Sequence, residues 1–445
     1  MHKKILLTVV FTFVCFIAKA QTTFTVFDEI LFYDGYAATV NEPVPNGVIR
    51  HKNSLYAKKL TQSQLNSLGN TLHLDITLKA ACDNYDRLGH VYLSFVPTGT
   101  QTYDPSQVMR IEVARIITPF MNKNVSPTEV PYEFNLNNVV EILKDSNLTS
   151  QYDIWVEFEV FGVPYAAQNE VAGCAGRIDT FYGTLEFTST QNANMPDYAD
   201  DNFLLALSCR EDLNNYNATD VQGETTRILD FNLTETIENA NLYLITSNHG
   251  ANTGGEEYNR RNHFVYLDDN QIHMYKPGGE SCEPYRIYNT QPNCIYLRCD
   301  LQGYPNRNDW SDSNWCPGDK IPIRVINLGT LQAGDHTIKL DVPDAVFVNQ
   351  EGYIPVSAYI QNRDQVLSLS NVNTISLNLF PNPTQGDLTI ESKTPITSVI
   401  IYNLNGKKIW SGSGNNINIS SLPTGLYLAE IQTSEGKIIK KVSKK

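Results

Sequence analysis

Short apolar or alternating segments run through most of the chain and are separated by turns rich in Asn, Gly, Pro and Asp. Alternation of apolar and polar residues fits strands with one buried face. One segment, 135–144 (NLNNVVEILK), predicts a short helix after an Asn cap. The predicted strands are 72–78, 91–96, 111–117, 154–161, 181–187, 241–245, 263–267, 321–326, 336–340 and 356–360. This spacing predicts an all-β fold of sandwiches or barrels.

Changes in composition divide the chain. Its 445 residues are too many for one core, and a polar stretch at 188–202 joins two strand-rich blocks of domain size. A second polar stretch precedes a segment whose turns carry Pro-Asn-Pro, Asn-Gly and Pro-Thr-Gly. We therefore expect a signal peptide at 1–20, domains at 21–190 and 191–365, a linker at 366–373 and a small C-terminal β-sandwich at 374–445.

The first residues predict export. Lys3 and Lys4 precede an apolar run that ends in Ala18-Lys19-Ala20, the pattern of a cleaved secretory signal peptide. No later segment approaches the roughly twenty apolar residues of a membrane-spanning helix, so we expect a soluble, secreted protein. The formal charge of −14 repels phosphate backbones and argues against nucleic acid as a partner.

Motifs for metal binding and for a serine nucleophile are missing from the sequence. There is no His-Glu-x-x-His, no paired Cys-x-x-Cys and no Gly-x-Ser-x-Gly turn. The acidic run Asp268-Asp269-Asn270 fits a hairpin turn better than a calcium loop. We therefore predict neither a metal nor a cofactor.

Carboxylates stand in unusual places. Asp86 lies at the entry to a predicted strand, Glu157 and Glu159 lie inside the apolar segment IWVEFEVFG, and Glu256-Glu257 follow a Gly-Gly pair. Glu157 and Glu159 share one face, because side chains on a strand repeat every second residue. From the residues alone, that face is either the solvent side of an antiparallel sheet or part of a functional site.

The C-terminal segment closely resembles the type IX secretion sorting domain of the Bacteroidetes. The resemblance rests on the opening Asn378–Pro383, the Asn405-Gly406 turn, the Leu422-Pro-x-Gly-x-Tyr segment and a lysine-rich end. It implies the type IX secretion machinery as a partner, passage through the periplasm, and release or attachment at the cell surface. A carbohydrate-binding module is the alternative for this segment.

Five segments upstream resemble, in order, the motif series of the peptide-N-glycosidase F family. They are ACDNYDRLGHVYL (81–93), VARIITPF (113–120), IWVEFEVFG (154–162), ITSNHGANTGGEEYNRRNHFVYLDD (245–269) and NWCPGDKIP (314–322). The resemblance implies two antiparallel jelly-roll sandwiches side by side, with acids at their interface. It also implies an amidase that cleaves asparagine from the first N-acetylglucosamine of N-linked glycans, giving aspartate and a glycosylamine.

Matching motif positions imply roles for particular residues. Asp86 would be the primary acid/base, Glu257 would position the water or the peptide, and Glu157 would hold the first sugar. The further substrate-binding or orienting residues that we expect are Arg87, Tyr85, Trp155, Glu159, His249, Tyr258, Arg261 and His263. The expected partners are N-linked glycoproteins, and the protein is expected to be a monomer.

The chain departs from the family pattern around the implied site. Gly255 and Asn259 stand where the family brackets its second glutamate with a disulfide, so that loop must be held otherwise. Glu159 replaces a tryptophan that limits core sugars in the best-known member, which predicts a different glycan preference. Asp312 stands at the position of an active-site arginine, with Arg307 as the nearest substitute.

Disulfides are expected after export, and Cys15 leaves with the signal peptide. The resemblance implies a pair between Cys299 and Cys316, while Cys282 and Cys294 could close a local loop. Cys82 lacks its usual partner and could pair with Cys174, which leaves Cys209 as the odd thiol.

Two other classes of protein are compatible with paired jelly rolls. One is a catalytically inactive glycan-binding protein on the same scaffold, which the missing arginine and disulfide keep open. The other is a copper monooxygenase, which would need clustered histidines and a methionine ligand; the eight histidines here are scattered, with no His-x-His.

Overall fold

The structure is a computed structural model that describes residues 21–192, 202–214, 223–250, 255–291, 314–362, 377–392, 395–403, 408–433 and 436–445. The chain divides into two compact units, Met1–Asp364 and Gln365–Lys445. Among the described residues, none of the helices is long and apolar enough to span a membrane. The helices are α1 (Gln62–Asn66), α2 (Asn137–Lys144), α3 (Ser146–Gln151) and α4 (Ala167–Glu170).

The strands of the first unit are β1 (Gln21–Tyr33), β2 (Val48–Lys52), β3 (Leu55–Lys59), β4 (Thr71–Ala80), β5 (Leu88–Pro97), β6 (Met109–Ile117), β7 (Glu129–Asn135), β8 (Tyr152–Val160), β9 (Asp179–Thr190), β10 (Leu204–Asp212), β11 (Thr226–Leu233), β12 (Ile237–Thr246), β13 (His263–Leu267), β14 (Asn270–Tyr275), β15 (Arg324–Leu331), β16 (Gly334–Asp341) and β17 (Pro355–Asn362). The strands of the second unit are β18 (Leu377–Phe380), β19 (Asp387–Ser392), β20 (Ile396–Tyr402), β21 (Lys408–Gly412), β22 (Asn416–Asn418), β23 (Gly425–Thr433) and β24 (Gly436–Lys444).

The first jelly roll consists of β1 to β9. Its antiparallel sheets have the strand orders β1-β9-β4-β7 and β2-β3-β8-β5-β6. Along β4, half-buried and buried residues alternate over the whole strand, so that Leu72, Leu74, Ile76 and Leu78 face the core. β5 is buried along its whole length except at Pro97, which means that both faces of the five-stranded sheet are covered at this strand.

The second jelly roll consists of β10 to β17. Its antiparallel sheets have the orders β10-β17-β12-β15 and β11-β16-β13-β14, with Leu242 and Leu244 of β12 in the core between them. The β13–β14 hairpin turns at Asp268 and Asp269, whose φ angles are +47° and +64°. Positive φ at both central residues is the type I′ geometry that short hairpins favour, which confirms the predicted turn.

The two jelly rolls pack side by side through a polar layer. Arg115 of β6 donates to the carbonyl of Pro355 at 2.8 Å, and Arg210 of β10 donates to Glu159 of β8 at 2.8 Å. Both carboxylates of the segment IWVEFEVFG therefore lie between domains, where Glu157 has no exposed side-chain surface. The interpretation of this face as a solvent side is wrong, because a second sandwich covers it.

The C-terminal unit is a small β-sandwich. Its sheets have the orders β18-β19-β22 and β21-β20-β23-β24. Apolar residues of both sheets, including Ile390, Ile401 and Ile431, form its own core. The all-β fold class with two jelly rolls and a third small sandwich is thus confirmed.

The predicted strands and the predicted helix are present, with one local difference in a strand and one at the start of the helix. The strand predicted at 321–326 begins only at Arg324, because Ile321 instead makes a backbone contact with Arg115 and packs against Trp315. The predicted helix is present as α2, but its N-cap is Leu136, whose own side chain makes no capping hydrogen bond. The asparagine expected as the cap, Asn135, ends β7 and accepts the N–H of Asn137 at 3.0 Å.

One disulfide prediction is confirmed and two are wrong. Cys82 bonds to Cys174, and among the described residues Cys209 is free. Cys316 bonds to Cys282, which excludes both the Cys299–Cys316 and the Cys282–Cys294 pairs. The fold brings the Cys282 segment against Phe120 and Cys316, so packing rather than closeness in sequence selects the partner. Cys294 and Cys299 themselves lie outside the described residues.

Candidate active site

The turn that leads into β5 is held by Asp83. Its buried carboxylate accepts the Nε–H of Arg87 at 2.7 Å and the backbone N–H groups of Tyr85 at 3.0 Å and Val163 at 2.6 Å. Thr118 accepts the backbone N–H of Arg87 at 2.7 Å, which fixes the turn from the side of β6. Asp83 therefore organises the turn, in which Asp86 is half-buried.

The second jelly roll contributes the turn that carries Glu257. The side-chain amide of Asn314 donates to the carbonyls of Glu256 at 2.8 Å, Glu257 at 2.9 Å and Asn259 at 3.1 Å. Asn259 donates to the carbonyl of Gly255 at 2.9 Å, across the two positions where the family pattern has a disulfide. Hydrogen bonds thus hold the turn in place of the covalent link.

The two acids of this turn have different surroundings. Glu256 is fully buried and pairs with Arg261 at 3.0 Å, and one of its oxygens accepts the N–H of Val346 at 2.7 Å. Glu257 is half-buried, and its carboxylate accepts the N–H of Gly250 at 3.2 Å. Glu256 and Arg261 therefore stabilise the turn, whereas Glu257 keeps room for further hydrogen bonds.

Asp86 and Glu257 act on each other electrostatically. Burial, and then the negative charge of Glu257, raise the pKa of Asp86 to about 7, against the opposing effect of Arg87. Burial also raises the pKa of Glu257, although hydrogen bonds from Gly250 and Tyr258 partly offset it. Two neighbouring carboxyls with raised pKa values can share a proton near neutral pH, as acid/base pairs do.

Two aromatic side chains, Tyr85 and Tyr258, lie near these acids. Burial, then the charges of Glu257 and Asp86, raise the pKa of Tyr258, which is 49% exposed. Tyr85 packs against Phe120 with 5.5 Å between ring centroids, and the guanidinium of Arg87 lies 5.6 Å from its ring. Phe120 in turn contacts the Cys282–Cys316 disulfide. Of the aromatic residues expected to stack on sugars, Tyr258 is the exposed one.

Glu157 lies apart from the Asp86–Glu257 pair. Its carboxylate accepts hydrogen bonds from Ser94 at 2.5 Å and Tyr103 at 2.7 Å, and Arg110 pairs with it. Its cross-strand partner is Tyr92, roughly 13 Å of strand beyond Leu88 where β5 begins. The structure therefore places Glu157 in the polar layer between the jelly rolls and not beside Asp86.

Glu159 and Trp155 share this interior face. Glu159 accepts from Tyr92 at 3.0 Å as well as from Arg210, and its pKa is lowered because the charges of Arg210 and His90 outweigh the effect of burial. Trp155 is 5% exposed and packs against Ala57. Both are enclosed by protein, so neither presents a surface to a sugar.

The two histidines expected near the site are buried and neutral. His249 stacks on Tyr353 at 5.1 Å between ring centroids, and burial, with the charge of Arg115, lowers its pKa well below the usual range. His263 stacks on Tyr275 at 4.8 Å, and burial lowers its pKa to about 3. His249 lies in the loop that reaches Gly250, whereas His263 belongs to β13.

Three contacts that position the site were not expected from the sequence. They are the Asn314 amide on the Glu257 turn, the Gly250 N–H on Glu257, and the indole N–H of Trp315 on the carbonyl of Asn248 at 2.9 Å. Asn314 and Trp315 are the first two residues of the segment NWCPGDKIP. The sequence analysis singled out this segment but did not predict these contacts. The expected substitute Arg307 lies outside the described residues, as does Asp312. Within the described ranges, no group of three or more His, Cys, Asp or Glu side chains is arranged to hold a metal ion.

Comparison with known proteins bears on both units. The family model described as Peptide-N-glycosidase F, N terminal, matches residues 23–176, and the C-terminal model of the same family matches residues 215–361. A secretion system C-terminal sorting domain matches residues 378–445. This sorting domain indicates type IX secretion to the cell surface or the extracellular space. No curated protein matches the sequence.

Solved structures of PNGF-II show the same fold. The structure of PNGF-II in a C2 space group is 20% identical with a TM-score of 0.56, covering 78% of this chain and 65% of that one. This chain therefore spans slightly less than two thirds of the PNGF-II chain. PNGase F, a glycosylasparaginase from Flavobacterium meningosepticum, is 13% identical with a TM-score of 0.48, covering 78% of this chain and 97% of that one. With matching models over both of its jelly rolls, the chain belongs to the peptide-N-glycosidase F family.

Proposed function

We propose that this protein hydrolyses the amide bond between asparagine and the first N-acetylglucosamine of N-linked glycans. The observation that carries the proposal is the meeting of Asp86 and Glu257, one from each jelly roll, with raised pKa values. Family membership supplies the class of substrate, and the secretion signal places the protein where glycoproteins of other cells occur. The proposed substrates are therefore extracellular N-linked glycoproteins or glycopeptides.

The proposed reaction needs only carboxyl groups and water. Asp86, ionised in part near neutral pH, takes a proton from a water whose oxygen attacks the side-chain carbonyl carbon of the asparagine. The carbon–nitrogen bond then breaks, and the proton passes from Asp86 to the departing nitrogen. The peptide keeps an aspartate, and the glycan leaves as a glycosylamine.

Glu257 is proposed to orient the attacking water. The Gly250 N–H holds one of its oxygens at 3.2 Å, which leaves the other oxygen for the water or for Tyr258. Its charge also raises the pKa of Asp86, so that Asp86 remains basic enough to accept a proton. Tyr258, exposed beside both acids, is the proposed platform for a sugar ring.

For Glu157 we propose a supporting role. It was expected to hold the first sugar, but its carboxylate is saturated by Ser94, Tyr103 and Arg110 and has no exposed surface. Its contribution is to keep Arg110 neutralised inside the polar layer, because an unpaired buried charge would destabilise the packing of the two domains.

A mass-spectrometric assay in ¹⁸O-labelled water tests the proposal. A denatured N-glycoprotein is incubated with the protein, and the tryptic glycopeptide is followed. We expect free glycan, together with a peptide in which the glycosylated asparagine has become aspartate carrying the label. Asp86→Asn should abolish the conversion, whereas the same substitution at exposed Asp28 on β1 should leave it unchanged.

The outcome also separates the proposed enzyme from a glycan-binding protein. Binding of the glycopeptide without release of glycan, equal in wild type and Asp86→Asn, would contradict the proposed hydrolysis. Conversion that persists in Asp86→Asn would contradict the role of this residue.

A further inference from the structure

Arg115 is a fully buried cation between the two jelly rolls. Its guanidinium donates to both oxygens of Glu112, through Nε at 2.9 Å and Nη2 at 2.7 Å, and His90 lies 2.7 Å from the same carboxylate. A buried charge is tolerated only when it is paired and hydrogen-bonded, and Glu112 meets this need within the first jelly roll. The remaining N–H groups of Arg115 are thus available for other partners.

Nη1 reaches across the interface to the loop beyond β12 and to β17. Nη1 donates to the hydroxyl of Ser247 at 3.0 Å and to the carbonyl of Pro355 at 2.8 Å. The hydroxyl of Ser247 lies 2.8 Å from Nε2 of His249, which is neutral and can accept its proton. Arg115 therefore sets the position of Ser247 directly and, through its hydroxyl, that of His249 two residues on.

The described part of the same loop runs to Gly250, which contacts Glu257. His249 exchanges both backbone hydrogen bonds with Tyr353 at 3.0 Å, and Gly250 follows with a φ of +137°. A Cβ on Gly250 would approach the Cα of Gly352 to 2.9 Å, so the loop has little freedom on that side. From this place the Gly250 N–H reaches the carboxylate of Glu257 at 3.2 Å.

We infer that Arg115 is a positioning residue for Glu257, acting through Ser247 and His249 on the Gly250 N–H. It touches no reacting atom. It transmits the docking of the first jelly roll to a carboxylate on the second, so that Glu257 is oriented only when the interface is closed. This inference rests on the proposed function, because it assigns the orientation of Glu257 a role in turnover.

A pair of serine variants tests the inference with a matched control. Ser247→Ala removes the link to the loop. Ser357→Ala removes a hydroxyl on β17, outside the loop, that contacts the same guanidinium at 3.4 Å, donates to Glu112 and accepts the N–H of Arg210 at 2.8 Å. We expect Ser247→Ala to lower kcat roughly tenfold with KM nearly unchanged, as expected when a water-orienting group is displaced. It should also move the pH profile of kcat, while Ser357→Ala keeps the wild-type profile.

Hydrogen exchange supplies a readout that does not depend on activity. Amide exchange in the peptide containing residues 247–250 should increase in Ser247→Ala and stay at the wild-type rate in Ser357→Ala. Equal exchange and equal kcat in the two variants would overturn the inference. A wild-type protein that releases no glycan contradicts the proposed function instead, and the exchange experiment still decides whether the Ser247 link between Arg115 and His249 positions the loop.

Discussion

Asp86 and Glu257 lie on different jelly rolls, yet they are close enough that burial, and then the charge of Glu257, raise the pKa of Asp86 to about 7. Each of these two acids lies in a turn that hydrogen bonds hold in place. Asp83 fixes one of them and Asn314 the other, so the proposed acid/base pair depends on two separate sets of hydrogen bonds. Each set of hydrogen bonds, and the interface between the two jelly rolls, can be tested separately.

Glu257→Gln should shift the pH dependence of glycan release to lower pH. The substitution removes a negative charge that raises the pKa of Asp86, so Asp86 becomes ionised at lower pH and the acid limb of kcat/KM moves with it. The rate itself should fall by about 10²-fold, because the water loses its orienting group. Initial rates from about pH 4 to about pH 9 measure both effects.

The adjacent acid is the control for this shift. Glu256→Gln changes the same chemical group one residue away, but Glu256 is paired with Arg261. It should lower the thermal midpoint and leave the acid limb in place. An acid limb that moves equally in both variants would show that the Glu257 charge is not its cause.

Asp86→Asn should stabilise the fold at alkaline pH. The native state raises the pKa of Asp86 from 3.8 to about 7, so the proton is bound more tightly in the folded than in the unfolded chain. The contribution of this bound proton to the free energy of unfolding is complete below about pH 4 and is lost as the pH rises through about 7. An asparagine does not ionise, so the variant should gain on the order of 4 kcal/mol at about pH 8 and almost nothing at about pH 3.

Urea unfolding of the two proteins at both pH values measures this difference. Asp28→Asn, at an exposed position, should show no pH-dependent gain. A gain in Asp86→Asn that is the same at both pH values would contradict the raised pKa of Asp86.

Asn314→Ala should impair activity more than stability. Its amide nitrogen donates to three carbonyls of the Glu257 turn, which would be left without that donor. The free energy of unfolding should fall by about 1–3 kcal/mol, as for an unsatisfied buried polar group. Turnover should fall by at least about tenfold, because Glu257 loses its place relative to Asp86.

The comparison is Asn289→Ala. Asn289 is a buried asparagine that contacts the backbone N–H of Phe120 and the carbonyl of Pro317, so its loss should reduce stability with a smaller loss of kcat.

The Glu159–Arg210 pair should show strong coupling between the domains. Arg210→Met leaves the carboxylate of Glu159 with 9% side-chain exposure and without its cation, and should destabilise the protein by about 2–3 kcal/mol. The double variant Glu159→Met/Arg210→Met should recover most of this loss, because apolar side chains can fill the same space. A double-mutant cycle by chemical denaturation measures the coupling, and simple additivity would contradict a direct interaction across the interface.

The sequence was sufficient where periodicity decides the outcome. β13 has the predicted bounds, and the Asp268–Asp269 turn beside it is specified by residues that accept positive φ. The sequence was insufficient where the environment of a side chain depends on a segment far away in the chain. The alternating spacing of Glu157 and Glu159 would be the same on a solvent-facing sheet and at a domain interface. The contact of Glu159 with Arg210, some fifty residues away, identifies the face as an interface.

The same limit explains the site and the cysteines. Asp86 and Glu257 were recognisable from their motifs, but the amide of Asn314 that holds Glu257 comes from a third segment. Cys282 has a nearer cysteine in sequence, yet its sulfur meets Cys316 because both pack around Phe120. Contacts between segments far apart in the chain are set by the packing of whole sandwiches, which local patterns do not encode.

The division of the site between two sandwiches limits how such proteins can be recombined. A chimera that joins this first jelly roll to the second jelly roll of a relative contains Arg115 and Glu159, but it need not contain their partners Ser247 and Arg210. Such a hybrid could fold in each half and still place its two acids out of register. Productive exchange of domains therefore requires the facing residues of the polar layer to be transferred as a set.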